Sequence, residues 1–580
     1  MVDSILQDLR FAVRSLRKRP LFLLIPVISL AIGIGANTTI FSIVNRFLLR
    51  SAEGVPNASR VVELGRGRDG AGFDSFSYPD FLDLRQQAEP LEALAGMEAR
   101  ILTLSRGDAG ERALGMLVSA NFFDVLGVKA ASGRTFSPEE DEGVDEHPVV
   151  VLSHQFWKNR WGGDPDILGS TVYVSRKPYT VVGVLPEEFR GHMAVANPDA
   201  YVPMMQHPSL NEGRSQFERR GSSWFQVLGL LKERATVREA DAAVLTVMER
   251  LQEEYPETNA HRTAAVRPYG ALPSAIRGPA GMFLAVLAAF VGLILLITCA
   301  NVAGMFLARA LSRRKEIAIR LSLGSDRGRL IRHLLAESLL VFFLGGIGGM
   351  VLAGWSLSWL TSLDLPAPIP LALRLDPDMR VFLFSGLVTL LTGLLFGLLP
   401  ARQALKLDLL GSLKDEGGRS GSSESRLRKG FVAAQVAASL VLLVAAGLLL
   451  RTLQHAGSIE TGFQAEGAYV TFVDLTAEGY EAEDGAVFQE EILHHFSSLP
   501  WVESVALSVD LPLDLSSRRT IVEPEGWEGG SEEGPFGSGF NSVSPAYFET
   551  LRIPILEGRG LDERDRRGNE PVAVVSRAFL

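Results

Sequence analysis

The chain has 580 residues, of which 47% are apolar, a formal net charge of -10 and a single cysteine, Cys299. This acidic balance argues against nucleic acid as a partner, because binding to phosphates needs a basic surface. One cysteine excludes an intrachain disulfide, a CxxC redox pair and a thiolate zinc site. The apolar excess indicates that part of the chain lies in a membrane.

Five segments are long and apolar enough to cross a membrane, which takes about 20 residues. We predict membrane spans at 21–45, 282–307, 334–360, 381–399 and 431–451. Basic residues cluster before the first span, between the second and third, and between the fourth and fifth. By the positive-inside rule these three regions are cytoplasmic, and residues 46–280, 361–380 and 452–580 lie outside.

Residues 1–20 precede the first span and are predicted to form an amphipathic helix on the cytoplasmic face. Ser4 and Gln7 have the spacing of a capping box, and apolar residues between Ile5 and Leu16 share one helical face. The long basic region and the long apolar stretch argue against a cleaved signal peptide. We therefore expect an uncleaved anchor with a cytoplasmic N-terminus.

Small residues inside the spans are expected to let the helices approach one another closely. Gly345 and Gly349, and then Gly393 and Gly397, have small-xxx-small spacing. We favour ordinary helix packing over a transport path for these positions. The spans show no Asp, Glu or Lys relay of the kind that a proton- or ion-coupled carrier needs.

Residues 46–280 alternate short β-type runs with amphipathic stretches, which indicates an α+β domain. Strands are predicted at 60–64, 149–152, 171–174, 180–184 and 225–230. Helices are predicted to begin near Ser77, with Pro79 in the first turn, and at Thr236, whose capping-box partner is Glu239. The predicted fold is a membrane α-helical bundle of five spans with two α+β extracytoplasmic domains.

The two outer regions contain an internal duplication. Matching runs occur in the same order at 118–126 and 543–551, at 133–134 and 558–559, and at 149–157 and 572–580. Ordered matches of this kind indicate a repeated module, so residues 452–580 are predicted to form a second, incomplete outer domain. A complete repeat would have eight spans, and we expect the chain to be a fragment or a truncated product.

The topology and the duplication, together with the runs at 8–16 (DLRFAVRSL) and 76–81 (FSYPDF), resemble the permeases of the MacB, LolCDE and FtsX superfamily of ABC systems. The duplicated branch that the chain resembles is known mainly from acidobacterial-type genomes. The resemblance implies a MacB-like periplasmic core domain at 46–280 and an FtsX-like domain at 281–402, followed by a cytoplasmic linker at 403–430. It also implies a location in the bacterial inner membrane.

The cytoplasmic loop at 308–333 holds the most specific part of this resemblance. Its run at 313–325 (RRKEIAIRLSLGS) is similar to the family signature R-x-E-I-x-[IV]-R-x-x-x-G-[AS]. In the family this loop is the coupling helix that docks into the ATPase subunit. The residues to which the resemblance gives this coupling role are Arg313, Arg314, Lys315, Glu316, Ile317, Arg320 and Gly324. The alternative is that the cluster only fixes the topology and binds anionic lipid headgroups.

Motifs for chemistry are not apparent in the sequence. A phosphate-binding G-x-x-x-x-G-K-[ST] run is absent, so ATP is expected to bind a partner subunit rather than this chain. His494 and His495 lie near Glu490 and Glu491, but adjacent helical residues point in different directions, and we favour a solvated helix face. No catalytic, cofactor-binding or metal site is predicted, and a membrane-bound enzyme is disfavoured.

The sequence is compatible with two functions. The first is a non-catalytic permease subunit of an ABC export or mechanotransmission system, which relays ATP hydrolysis by a separate ATPase to the outer domains. The second is an FtsX-like regulatory scaffold that controls a cell-wall or other extracytoplasmic partner. The expected partners are an ABC ATPase, membrane lipids and a periplasmic adaptor or outer-membrane component, with no nucleic acid.

Overall fold

The computed structural model divides the chain into two compact units, Met1–Leu449 and Leu450–Leu580. The described residues are 20–50, 54–68, 70–107, 110–191, 197–210, 216–312, 327–362, 379–405, 422–459, 461–473, 475, 480, 482–512, 519–522, 536–566 and 568–579. The predicted N-terminal helix at 1–20 lies outside these residues, except for Pro20.

The first outer domain follows helix α1, Pro20–Val44, and a short π-helical turn, Asn45–Leu49. It is built on one sheet of eleven strands. The strands are β1 Val61–Arg68, β2 Ala71–Asp74, β3 Leu91–Ser105, β4 Glu111–Val118, β5 Ser132–Gly133, β6 Val149–Leu152, β7 Thr171–Val174, β8 Lys177–Val184, β9 Ala200–Pro203, β10 Gln226–Leu231 and β11 Arg262–Pro268. The five predicted strands are confirmed as β1, β6, β7, β8 and β10, with small shifts of the bounds of β1, β8 and β10.

The helices of this domain are α2 Tyr78–Gln87, α3 Phe122–Leu126, α4 His154–Arg160, α5 Val237–Glu254 and α6 Pro256–Asn259. The predicted capping box of α5 is confirmed, since the Thr236 hydroxyl accepts from the Glu239 N–H and the Glu239 carboxylate accepts from the Thr236 N–H. Apolar residues at helical spacing on α5, including Ala240, Val244 and Leu251, are buried in the domain core.

Strands from the two halves of the domain are interleaved in the sheet. Nine strands follow the order β11-β1-β10-β3-β4-β9-β6-β8-β5, while β2 pairs with β1, and β7 pairs with β3 and β8. Strand β10 therefore lies between β1 and β3, and β9 lies between β4 and β6. Because β8 to β11 come late in the sequence, the first half of the domain cannot complete this sheet alone.

The membrane part of the chain contains α1 and four further long helices. These are α7 Ser274–Ser312, α8 Arg327–Thr361, α9 Met379–Leu405 and α10 Ser422–Gly457. Each of the five helices is long and apolar enough to cross a membrane, which confirms the five predicted spans. Helices α1, α7 and α8 share a buried apolar cluster that includes Leu30, Cys299 and Phe342. By contrast, none of the side chains from Val432 to Gly457 on α10 is buried.

The second unit has fewer regular elements among its described residues. They are α11 Ala482–Ser497, β12 Arg519–Val522, β13 Phe536–Gly539 and α12 Tyr547–Thr550. Strands β12 and β13 pair antiparallel with each other.

The duplication extends to single hydrogen bonds. In the first unit, the Ser119 N–H donates to the Gly96 carbonyl at 3.0 Å and the Ser119 hydroxyl accepts from the Gly96 N–H at 3.0 Å. In the second unit, Ser544 makes the same two bonds with Leu507, at 2.9 and 2.8 Å. A residue with positive φ follows the short helix after each serine: Gly127 (+74°) directly after α3, and Arg552 (+53°) two residues after the end of α12.

An arginine clamp follows in both units. Arg134 donates to both carboxylate oxygens of Glu140, at 3.1 and 2.7 Å, and Arg559 does the same to Asp565, at 2.7 and 2.7 Å. Each carboxylate also accepts from the backbone N–H three residues before it. Bidentate pairs of this kind fix geometry as well as charge, so the two copies share a local fold.

Candidate functional site

The outer end of α7 is fixed to the sheet of the first outer domain through Glu63 on β1. The Glu63 carboxylate accepts from the Ser274 N–H at 2.7 Å and from Nη2 of Arg277 at 2.9 Å. Arg277 also donates to the carbonyl oxygens of Leu272 and Pro268, both at 2.6 Å. A carboxylate is favourable at a helix N-terminus, where the helix dipole is positive. Since Pro268 ends β11, this joint ties two strands to the first turn of α7.

Close packing holds the Arg277 guanidinium in place. A Cβ atom added at Gly270 would lie 2.6 Å from Nη2 of Arg277. The neighbouring Tyr269 is buried, and this burial raises the pKa of its phenol, which stays neutral. A larger residue at position 270 would therefore displace the guanidinium from the joint.

The inner end of α7 is tied to α8 by a buried ion pair. Nη2 of Arg309 lies 3.7 Å from Oε2 of Glu337, and the two side chains are 7% and 3% exposed. Buried charges on membrane helices are costly, almost always paired, and often functional. Because the two residues flank most of the predicted coupling loop, the pair links the two stems of that loop.

The coupling residues of the loop itself lie outside the described residues. They are Arg313, Arg314, Lys315, Glu316, Ile317, Arg320 and Gly324. Their role in binding an ATPase stays a prediction.

The four glycines singled out in the sequence lie where membrane helices meet. An added Cβ at Gly345 would lie 2.6 Å from Leu30 on α1, and one at Gly349 would lie 3.0 Å from the backbone of α1. An added Cβ at Gly393 or Gly397 on α9 would meet α8 at 3.2 or 2.9 Å. These contacts allow close approach of helix backbones, which association in lipid requires.

Polar side chains of α1 add hydrogen bonds between the same helices. The Asn37 amide donates to the Val291 carbonyl on α7 at 2.9 Å. The Thr38 hydroxyl donates to the Ser385 hydroxyl on α9 at 3.2 Å. Such bonds contribute about 0.6 kcal/mol on average in membranes. Helix α1 therefore contacts α7, α8 and α9.

A buried charge network holds the first outer domain together around Asp80 of the FSYPDF run. The Asp80 side chain is fully buried and accepts from Arg220 at 2.6 Å, from Asn259 at 2.9 Å and from Arg66 at 3.5 Å. Burial, with the charge of Arg262, lowers the pKa of Arg66 to about 10, although Asp80 opposes this change. The run therefore has a structural role in this domain.

A second pair of titratable side chains is formed by half-buried Glu98 and buried His207, whose ring packs against Phe217 and Trp224. Nε2 of His207 is 3.8 Å from Oε2 of Glu98, and the His207 ring lies 4.1 Å from that of Trp224. Burial raises the pKa of Glu98 to about 7, and burial together with Arg100 lowers the pKa of His207 to about 4. At pH 6 both side chains are therefore mostly in their neutral forms.

Metal-ligating side chains do not converge in the part of the chain that the structure describes: it contains no group of three or more His, Cys, Asp or Glu that could hold a metal ion. His494 and His495 have exposed side chains on α11.

Sequence reasoning did not identify the two joints of α7. The sequence places Arg309 in the basic region between the second and third spans and Glu337 near the start of the third span, but it gives neither residue a partner. The sequence does place one charged residue near the inner end of α7 and one near the inner end of α8. A buried charge at such a position needs a partner of opposite charge, which is the signal for the inner joint. Glu63 and Arg277 gave no local signal, since they are more than 200 positions apart in the chain.

Comparisons with known proteins match both halves of the first unit. Residues 23–247 match the model of the MacB-like periplasmic core domain, and residues 288–409 match the FtsX-like permease C-terminal model.

An uncharacterized ABC transporter permease, YknZ of Bacillus subtilis, is 22% identical over 439 residues, which cover 71% of this chain and all of that protein. The macrolide export ATP-binding/permease protein MacB of Neisseria gonorrhoeae is 24% identical over 303 residues, 52% of this chain and 43% of that protein. This chain thus spans less than half the length of that relative. The crystal structure of the periplasmic region of MacB from Actinobacillus actinomycetemcomitans matches at 15% identity with a TM-score of 0.28, over 42% of this chain and 97% of that one.

Proposed function

On the premise that the chain belongs to the ABC transporter permeases that combine a MacB-like periplasmic core domain with an FtsX-like permease domain, we propose that it works by mechanotransmission. A separate ATPase docks on the cytoplasmic loop at 308–333. ATP-driven movement of that loop is passed along the membrane helices and changes the arrangement of the first outer domain. The proposed location is the bacterial inner membrane, with the N-terminus in the cytoplasm.

One observation carries this proposal: α7 is a continuous helix that is fixed at both ends. Its outer joint is Glu63 with Arg277, and its inner joint is Arg309 with Glu337. The helix between the two arginines is about 48 Å long at about 1.5 Å per residue. A rigid helix held in this way passes a displacement at the inner end to β1 and β11 of the sheet.

The export of an amphipathic or peptide-like substrate is the proposed use of this movement. A periplasmic adaptor or an outer-membrane component is the proposed partner of the first outer domain. Support for export comes from a relative, the macrolide export protein MacB of Neisseria gonorrhoeae.

The test uses the full chain in lipid nanodiscs with the ABC ATPase encoded beside its gene. Hydrogen exchange of the first outer domain is measured with and without ATP. We expect ATP to change exchange in β1 and β11. Glu337→Gln should retain the ATPase and weaken this change, because it removes one charge of the inner joint. Glu63→Gln should also weaken the ATP-dependent change in exchange, because it removes the carboxylate charge of the outer joint.

The matched control is Glu92→Gln, which removes an exposed ion pair with Arg60 in the same domain. It should leave the ATP-dependent change intact, because exposed pairs contribute little. The proposal is wrong if ATP leaves the exchange of the outer domain unchanged in the unaltered protein. Glu316→Ala combined with Arg320→Ala tests the docking step separately, through loss of complex formation and of ATP turnover.

A further inference from the structure

Helices α1 and α7 join the membrane part of the chain to the first outer domain, and each is irregular at the outer border of its span. In α1 the irregular stretch is the π-helical turn Asn45–Leu49, which directly follows Val44. In α7 it is the run 278–281 (GPAG), which lies between the outer joint and the predicted start of the span at 282. Both connections therefore change their regularity where the spans end.

The run in α7 interrupts the hydrogen bonds of that helix. Pro279 lies five residues after Ser274, the first residue of α7, so it has no N–H to donate to the carbonyl of Ala275, and its ring crowds that carbonyl. Gly278 and Gly281 on either side stabilise a helix less than alanine does. Proline and glycine are common causes of bends in long helices, so the helix bends easily at this run.

The turn at the end of α1 is irregular in another way. A π-helical turn holds one residue more than the α-helical ladder needs, and such turns are rare and frequent at functional positions. The turn ends at Arg50, whose backbone is extended. Nη1 of Arg380 on α9 donates to the Leu49 carbonyl at 3.4 Å, at the end of the turn. Helix α1 therefore does not enter the outer domain as a regular helix.

The two irregular stretches contact each other. A Cβ atom added at Gly281 would lie 3.8 Å from both Cδ atoms of Leu48. The Leu48 side chain thus packs over the last residue of the GPAG run. Because the two connections meet where both are irregular, a bend at this point changes both of them together.

The chain is firmly attached to the outer domain just above this point. The Glu63 carboxylate holds the Ser274 N–H and Arg277 immediately before the GPAG run. On the side of α1, Gly54 has a φ of +74°, and a Cβ atom added there would lie 2.4 Å from the Glu188 carbonyl oxygen. A glycine is needed for so close an approach, so this part of the chain is fixed to the domain.

The membrane helices are held together just below this point. The Asn37 amide on α1 donates to the Val291 carbonyl on α7 at 2.9 Å. The rings of Phe41 on α1 and Phe384 on α9 are stacked, with centroids 3.9 Å apart. The irregular stretches therefore lie between two well-packed bodies, the outer domain and the helix bundle.

We propose that the π-helical turn Asn45–Leu49 and the run 278–281 form one hinge, on which the first outer domain tilts relative to the membrane helices. A hinge is a small number of residues that absorb a change of backbone angles between two rigid bodies. Helix α7 continues through the run, so an axial displacement still reaches the outer joint. That ATP drives the tilt rests on the proposed function, whereas the hinge itself needs no ATPase.

The experiment measures the tilt by double electron–electron resonance on the full chain in lipid nanodiscs. The reference protein carries Cys299→Ala and two spin labels, attached through Ala242→Cys on α5 and Leu296→Cys on α7. Both labelled positions are exposed, and they lie on opposite sides of the hinge. The width of the distance distribution reports how far the outer domain tilts, and we expect a broad distribution for the reference protein.

A stiffened variant adds Gly278→Ala, Pro279→Ala and Gly281→Ala. A Cβ atom at 278 would have no described atom within 4 Å, and one at 281 would meet Leu48 at an ordinary contact distance, so the variant is expected to fold. It should narrow the distribution by about twofold, because alanine restores a regular helix. The matched control is Gly292→Ala, which also has space for its Cβ atom and lies between the labels but outside the hinge. It should leave the width unchanged.

The turn in α1 is tested by removal of one residue. Deletion of Phe47 leaves the four residues of an ordinary helical turn, so the residues on both sides keep their faces, and the distribution should narrow without a loss of thermal stability. Deletion of Ile40 in the regular part of α1 is the control. It rotates the residues that follow by about 100°, which should break the stacking of Phe41 on Phe384 and lower the Tm.

Two results without ATP would overturn the hinge. One is a distribution of equal width in the reference protein and the stiffened variant. The other is equal narrowing by Gly292→Ala, which would make bending a property of the whole helix. Addition of the ATPase and ATP tests the proposed function separately. A shift of the mean distance that the stiffened variant loses supports both proposals, and a shift that it retains overturns the hinge. Absence of a shift in the reference protein contradicts mechanotransmission, while the widths measured without ATP still decide the hinge.

Discussion

The first outer domain and the second unit contain the same hydrogen-bonded turn, but they bury their apolar side chains to very different degrees. Ser119 and Ser544 make equivalent bonds to Gly96 and Leu507, and the arginine clamps that follow have matching geometry. Yet Phe122 and Phe123 are fully buried in the first unit, whereas α12 of the second unit has no buried residue.

The two units share the serine turn and the arginine clamp. The clamp joins residues six positions apart in both units, whereas the bonds of the serine join residues 23 and 37 positions apart. Strands β1 and β6 pair with β8 to β11, which come from the other half of the domain. Burial of these two strands in the first unit therefore depends on partners that are distant in the sequence.

The largest difference between the units is expected at Asp80. Glu491 lies as far before Leu507 as Asp80 lies before Gly96, and it is an exposed acidic residue on α11. Asp80→Ala should destabilise the first outer domain by about 3–5 kcal/mol, because Arg66 would stay buried without its carboxylate. Pulse proteolysis of the full chain in nanodiscs measures this loss.

Glu491→Ala is the matched control, with an expected effect within about 0.5 kcal/mol for an exposed position. Equal effects of the two substitutions would show that the network around Asp80 does not stabilise the domain.

Substitution of the serine in each turn tests whether burial increases the cost of losing its hydrogen bond. Ser119→Ala should cost about 1–3 kcal/mol, because the buried Gly96 N–H loses its acceptor. Ser544→Ala should cost less, since water reaches the partly exposed turn around it. Hydrogen exchange of Gly96 and Leu507 in the two variants measures the difference. A larger effect at Leu507 would contradict this account of burial.

The pH dependence of stability should also differ between the units. The pKa of Glu98 is raised to about 7 by burial, and its counterpart at the same spacing is Val509. The pKa of Glu98 is near 4.5 in the unfolded chain and about 7 in the folded domain. Between these two pH values the folded state binds more protons than the unfolded state, so the free energy of unfolding falls as the pH rises. Glu98→Gln should remove this loss and stabilise the first domain at pH 8 by on the order of 1 kcal/mol.

The measurement is pulse proteolysis of the full chain at pH 5 and pH 8, with the unaltered protein beside it. A gain from Glu98→Gln that is the same at both pH values would count against a titrating carboxyl. The second unit should show no such dependence at the position of Val509.

The smallest effects are expected at the arginine clamps, where the two units are most alike. Burial raises the pKa of Glu140, but hydrogen bonds from Arg134 and Ser137 outweigh it and lower the value overall. The stabilisation is therefore present above the unfolded pKa and is lost as the pH falls through the folded value. Glu140→Gln and Asp565→Asn should each speed amide exchange only near positions 137 and 562.

These two exchange effects should be similar in size, because both clamps are local and both arginines are about half exposed. Loss of protection in distant strands of the first sheet after Glu140→Gln would show that its clamp supports the whole domain.

The sequence by itself determined the features that depend on short segments. Runs of apolar residues predicted the five spans, the spacing of Thr236 and Glu239 predicted the capping box of α5, and ordered matches revealed the duplication. The glycine spacing also identified positions where helices meet. Composition and nearby side chains are sufficient for such predictions, since each depends on residues within a few turns of one another.

Only the tertiary structure decided the order of the sheet, the partners of Asp80 and the two joints of α7. Glu63 meets Arg277, and Asp80 meets Arg220 and Asn259, across long stretches of chain. Their pairing depends on how β10 and β11 enter the sheet beside β1, which no local pattern encodes.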